Sequence, residues 1–155
     1  MLSTEQQIRL KKGGAIMSGK LREYFNKQPR LGVISTSSKD GKPDCAVYGS
    51  PQMIDEKTVI VALAMGRTFA NLKENPNAVF MIMEPGKGIL DWKGIRVYLR
   101  MQEYATSGPK FENYKSEMAK IVGELAAGMI AVLATFEVTE VRPLIDFGQG
   151  WEKSV

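Results

Sequence analysis

Histidine is absent from the 155-residue chain, and cysteine occurs once, at Cys45. The first absence excludes Ser-His-Asp and Cys-His nucleophilic catalysis, imidazole-ligated haem and most zinc sites. The second excludes an internal disulfide. Long apolar runs are missing as well: VIVALAMG and GMIAVLATF are strand-sized, well short of the ~20 residues that a membrane helix needs. The opening MLSTEQQIRLKKGG is polar and has no apolar signal core, so a cytoplasmic protein with no membrane association is expected. The net charge is +4, but the basic residues are scattered, with no run longer than Lys11-Lys12, and a nucleic-acid surface is not expected. Any chemistry must come from a borrowed cofactor, or from Arg, Lys, Tyr, Thr or a carboxylate.

What is present suits one globular domain over residues 1–155, with 44% hydrophobic and 25% charged residues and no internal repeat. Ser3 and Thr4 stand at capping-box spacing from Gln6 and Gln7, which predicts an N-terminal helical segment within 1–28, broken at Gly13-Gly14, with Leu21, Tyr24 and Phe25 on its buried side. In RLGVISTSSKDGKPDCAVYGSP, Leu31, Val33 and Ser35 alternate with Gly32, Ile34 and Thr36, and Asp40-Gly41 marks the turn of a β-hairpin. TVIVALA is apolar on both faces, as a strand covered on two sides is. A short helix, GRTFANLKEN, ends at Pro76, and AVFMIM reads as another buried strand. IRVYLRMQEYA then places Ile95, Val97, Leu99 and Met101 on one face and Arg96, Tyr98 and Arg100 on the other.

Ser107-Gly108-Pro109 opens a second helix, in which Phe111, Tyr114, Met118, Ile121, Val122 and Leu125 recur at helical spacing up to a stop at Gly128. A last strand covers about 129–141, and residues 142–155 form a tail. Consecutive strands without βαβ alternation predict a mainly β protein with α-helices at the edges of a six-stranded antiparallel barrel.

Two stretches have the makings of a ligand site. In MGRTFANLKENP, which follows the VIVALA strand, the first-turn NH groups lack intrahelical partners and the helix dipole adds partial positive charge. Arg67 adds a forked cation, Thr68 supplies a hydroxyl for the ligand or the helix cap, and Asn71 lies one turn on along the same side. Taken alone, this is also how an ordinary capped surface helix begins. In CAVYGSP, Gly49 leaves one strand face bare for a flat ligand, or for a bulge, while Tyr48 and Ser50 point the other way. Cys45, alone on an alternating strand, is expected to be a small buried hydrophobe.

The hairpin with its DGKP turn, the basic-Thr-x-x-Asn-Leu helix start and the long strand before SGPKFE, in that order over about residues 30–141, resemble the FMN-binding split-barrel family of pyridoxamine phosphate oxidase-like flavoproteins. The resemblance implies a Greek-key split barrel and a homodimer with FMN at the subunit interface. It implies that Arg67 and Thr68, with Asn71, hold the FMN phosphate, that Val47, Tyr48, Gly49 and Ser50 run beside the flavin, and that Ala62, Leu63, Ala64 and Met65 lie along the ribityl chain and ring. The strands VIVALA and AVFMIM carry apolar surface for the partner to cover. The oxidases proper use an Arg-x-His element and a basic C-terminal motif, whereas this chain has no histidine and ends GWEKSV. Oxidation of pyridoxamine phosphate is therefore not expected, nor is the haem chemistry of a sister branch. The expected function is that of an FMN-dependent oxidoreductase or electron carrier without an assignable catalytic residue. The alternative is a module that binds another phosphate-bearing ligand, such as a deazaflavin.

Overall fold

The computed structural model describes residues 19–155. The Ser3-Thr4 cap and the Gly13-Gly14 break lie outside them. Residues 19–26 are helical (α1) and place Leu21 and Phe25 in the core with Tyr24 against it. Seven strands among the described residues form one sheet: β1 (Leu31–Ser37), β2 (Pro43–Val47), β3 (Gln52–Asp55), β4 (Thr58–Leu63), β5 (Asn77–Glu84), β6 (Lys93–Ala105) and β7 (Val132–Pro143). The helices α2 (Arg67–Glu74), α3 (Pro109–Val122) and α4 (Glu124–Gly128) flank it.

The sheet order is β2-β1-β5-β6-β7-β4-β3, and every pairing is antiparallel. Its two edges are consecutive in the chain, joined by residues 48–51 alone. Seven flat strands would separate the edges by roughly 29 Å, whereas the link from Val47 to Gln52 reaches at most roughly 17 Å. The sheet must therefore curl until its edges meet, which makes it a split barrel. The six-stranded expectation is corrected by β3, in which only Met53 is buried, so its four residues carry no readable alternation.

The core is the inner face of this barrel. Ile34, Phe80, Val97, Val59, Val61 and Phe136 are each at most 2% exposed, and Phe25 of α1 meets the Phe80 ring at 5.3 Å. Gly32 is required beside them, since a Cβ there would run into the Phe80 ring. The expected apolar surplus is absent from one strand and present on the other. In VIVALA the residues Val59, Val61, Ala62 and Leu63 are buried by the protein's own chain, Ile60 is half-buried and Ala64 is exposed. On β5 the inner residues Ala78, Phe80 and Ile82 are buried, while Val79, Met81 and Met83 remain half-covered on the outer face.

The helix after Pro109 does not run on to Gly128. Gly123, at φ 88°, breaks it into α3 and α4, and Ile121, Val122 and Leu125 are exposed, Leu125 at 88%. The last strand starts at Val132 and ends at Pro143, so the tail proper begins at Leu144. Trp151 in that tail packs against the core, and Phe147 is exposed.

Candidate functional site

Two segments predicted to form a site come together where the barrel closes. The Ser50 hydroxyl donates to the Ala62 carbonyl at 2.8 Å, which ties the β2–β3 link to β4. At the other end of the same region, Arg67 Nη1 lies 3.7 Å from Asp44 Oδ1, which brings the start of α2 over β2. The run Ala64-Met65-Gly66-Arg67 is exposed, as are Val47 and Gly49. Among the described residues, and apart from the chain neighbours of each glycine, no atom lies within 4 Å of where a Cβ would stand on Gly49 or Gly66, so both backbones are open to a ligand.

The helix start is set up from beneath. Gly66 is the N-cap, with extended backbone and no side-chain cap, so Thr68 does not cap the helix. Thr68 is 6% exposed, and its hydroxyl makes no hydrogen bond among the described residues. Asn71, 8% exposed, faces the barrel and donates to Thr36 Oγ1 at 3.1 Å. Phe69 is buried against the Tyr104 ring in an edge-on contact at 5.0 Å. These contacts hold the first turn of α2 against β1 and β6 and leave the Arg67 side chain 74% exposed. A cation, free NH groups and an unpartnered hydroxyl on one rigid turn can receive a phosphate or another oxyanion.

The other sequence-predicted residues divide by environment. Val47 ends β2 on the outer face, 69% exposed and paired with Val33. Tyr48 packs inward against the core, and its NH donates to the Gly32 carbonyl. Leu63 and Ala62 are buried side chains, and their carbonyls are taken by Ala131 NH and the Ser50 hydroxyl. Met65 is 65% exposed. Cys45 is exposed on the outer face opposite Ser35, which corrects the expectation that it is buried.

Sequence reading missed Arg30. Its guanidinium donates to the carbonyls of Phe25 at 2.6 Å, Gly49 at 3.0 Å and Pro51 at 2.8 Å, and it stacks over the rings of Phe25 and Phe80. It thus fixes the open Gly49 strip from behind, and burial lowers its pKa below the usual arginine value. A lone arginine ahead of a strand gives no sequence signal for contacts 19 and 21 residues away. Asp44 was missed in the same way.

A family model for pyridoxamine 5'-phosphate oxidase matches residues 17–144. No curated protein sequence matches the chain. Among solved structures, the chain resembles an FMN-binding protein from Syntrophomonas wolfei, at TM-score 0.70 and 24% identity over 92% of this chain and 98% of that one. It also resembles the haem storage protein HutZ from Vibrio cholerae, at TM-score 0.60 and 15% identity over 77% and 89%. A third likeness is to an FAD-binding protein from Mesorhizobium loti, at TM-score 0.53 and 18% identity over 72% and 81%. At these identities the likeness is one of fold.

Proposed function

The chain belongs to the pyridoxamine 5'-phosphate oxidase family, and on that premise we propose that it is a cytoplasmic FMN-binding flavoprotein, an oxidoreductase or electron carrier that works as a homodimer. The observation that carries this reading is the open turn at Gly66-Arg67-Thr68, with Arg67 3.7 Å from Asp44 of β2, together with the bare backbone of Gly49, which the Ser50–Ala62 hydrogen bond ties to the strand leading into that turn. Two of the similar structures are of an FMN-binding and an FAD-binding protein, which supports a flavin as the cofactor.

The residues suit such a group. Arg67, Thr68 and the first-turn NH groups of α2 would hold its phosphate, with Ala64 and Met65 along the ribityl chain and the strip from Val47 to Gly49 beside the ring. When bound, a flavin supplies hydride or single-electron transfer, and the protein's share is to bind, orient and shield it. Arg30 and Ser50 would supply the orientation by fixing the backbone from Gly49 to Pro51. A haem reading, prompted by the likeness to HutZ, is disfavoured because the chain has no imidazole to act as axial ligand. The family name does not bring the oxidase reaction with it, since the Arg-x-His element has no counterpart in a chain without histidine.

The homodimer is supported by the outer face of the sheet. Cross-strand pairing sets Val47 against Val33, Val33 against Met81 and Leu31 against Met83, which makes a contiguous apolar band. Leu31 at 48% and Val47 at 69% exposure are the open part of that band. A second copy seated there would cover it. Light scattering should return a dimer mass, and a monomer that still holds FMN would remove the shared site from the proposal.

The cofactor itself is tested by the absorbance spectrum of the freshly purified protein and by chromatography of the released chromophore. The expected result is a flavin spectrum and co-elution with FMN. A protein that is colourless and stays so with excess FMN contradicts the reading, and a chromophore eluting as a deazaflavin replaces FMN with that ligand. Reduction by NADH or NADPH would then favour an oxidoreductase over a carrier.

A further inference from the structure

The counter-ion of Arg67 is in an unusual position for an anion site. Asp44 sits on β2 opposite Thr36 of β1, on the row that faces the barrel interior, with its side chain 22% exposed. The Arg67 side chain above it is 74% exposed. Their approach is a single 3.7 Å contact, Nη1 to Oδ1, rather than a two-bond fork. Such a contact is too loose and too wet to fix a guanidinium. An incoming phosphate can therefore draw Arg67 off Asp44, but the carboxylate, carried by a strand, stays where it is. No acidic residue lies in the first turn of α2, so Asp44 is the negative charge nearest the cradle that these contacts identify.

We propose that Asp44 sets the charge the cradle accepts, weakening the hold on a doubly charged phosphate monoester more than on a singly charged phosphodiester. This rests on the reading of the α2 start as a flavin-phosphate site. With Arg67 and Asp44 together the site is nearly neutral before the ligand arrives, and what attracts the anion is the helix start and the partial release of Arg67. The second charge of a monoester gains little from Arg67 and meets the fixed carboxylate. Asp44 is therefore a specificity-determining residue that sets affinity for FMN below what the cradle alone would give.

The test titrates three ligands at pH 8, where a phosphate monoester carries two charges. They are FMN, the methyl ester of its phosphate with one charge, and riboflavin with none. Asp44→Asn keeps shape and removes charge. It should tighten FMN on the order of tenfold, the methyl ester about threefold, and riboflavin less than about twofold. Asp44→Glu keeps the charge and should leave the FMN-to-ester ratio at its parent value. Equal changes for all three ligands, or a loss of FMN binding in Asp44→Asn, overturn the proposal, the second by showing that Asp44 orients Arg67. Thermal melts of each variant show whether a change comes from misfolding; if Asp44→Asn misfolds, Asp44→Ser, which also removes the charge, takes its place with the same expected order of changes, and equal changes for the three ligands overturn the proposal. Arg67→Ala, measured alongside, separates the two levels. If it fails to discriminate FMN from riboflavin, the phosphate reading falls and this proposal with it. If it discriminates and Asp44→Asn leaves the ratio unchanged, this proposal alone is overturned.

Discussion

The helices α2 and α3 begin almost alike. Each has a glycine N-cap without a side-chain cap, and each has a basic residue in its first turn, 3.7 Å from a carboxylate on a strand: Arg67 with Asp44, and Lys110 with Glu103. What lies beneath them differs. Under α2 the residues Thr68, Phe69, Asn71 and Leu72 are buried, and Asn71 is bonded to Thr36. In α3 Phe111 alone is buried, and Lys110 and Glu103 are both more than 60% exposed. Gly108 has φ 95° and is followed by Pro109 at the first helical position, so the chain stops and restarts there by backbone geometry. Gly66 is extended and imposes no such constraint. A glycine followed by a cation thus marks a candidate ligand site only when packing holds the turn rigid, as it does for α2, where the Gly49 strip, tied to β4 through Ser50 and Ala62, is the second segment of the proposed site.

The comparison breaks most severely if that strip is released. Arg30→Met removes the donor shared by three carbonyls and should cost about 3 kcal/mol in urea unfolding, with weaker FMN binding in the protein that still folds. No side chain in the α3 region spans as much. A cost below about 1 kcal/mol would mean that water replaces the guanidinium without loss.

A smaller effect separates the undersides of the two helices. Asn71→Ala should cost about 1–2 kcal/mol, because Thr36 loses its buried donor. Asn113→Ala, on the exposed side of α3, should stay within about 0.5 kcal/mol. Equal losses would mean that the tie from α2 to β1 is not what holds the first turn.

The glycines give the smallest difference, in the opposite sense. Gly108→Ala places a Cβ at φ 95° and should lose about 1 kcal/mol or more in thermal unfolding. Gly66→Ala meets no atom and no forbidden φ, and should be tolerated within about 0.5 kcal/mol. A reversed order would show that the α2 start is the strained one.

Much of the fold was readable because its strands are long enough to show a period. The alternation of Ile95, Val97 and Leu99, each at most 2% exposed, and the two-faced burial of β4 both follow from the residue pattern. β3 was not readable, since one buried methionine in four residues has no period. Ile121, Val122 and Leu125 fail for another reason: helical spacing says that a face is apolar and leaves open whether its own chain covers it. The start of α2 was legible as a candidate from Gly66-Arg67-Thr68, because the donors lie within one turn. Arg30 and Asp44 were not, because their partners lie on other elements and are chosen by the closure of the barrel.

The central claim is that the α2 start holds a phosphate and the α3 start does not. Titration of FMN and riboflavin against Arg67→Ala and Lys110→Ala tests it directly. The account predicts that Arg67→Ala weakens FMN by about ten- to a hundredfold, as expected when a charge-assisted hydrogen bond is lost, and leaves riboflavin within about twofold. Lys110→Ala should change neither. Equal losses of both ligands in Arg67→Ala, or a selective loss of FMN in Lys110→Ala, would contradict it.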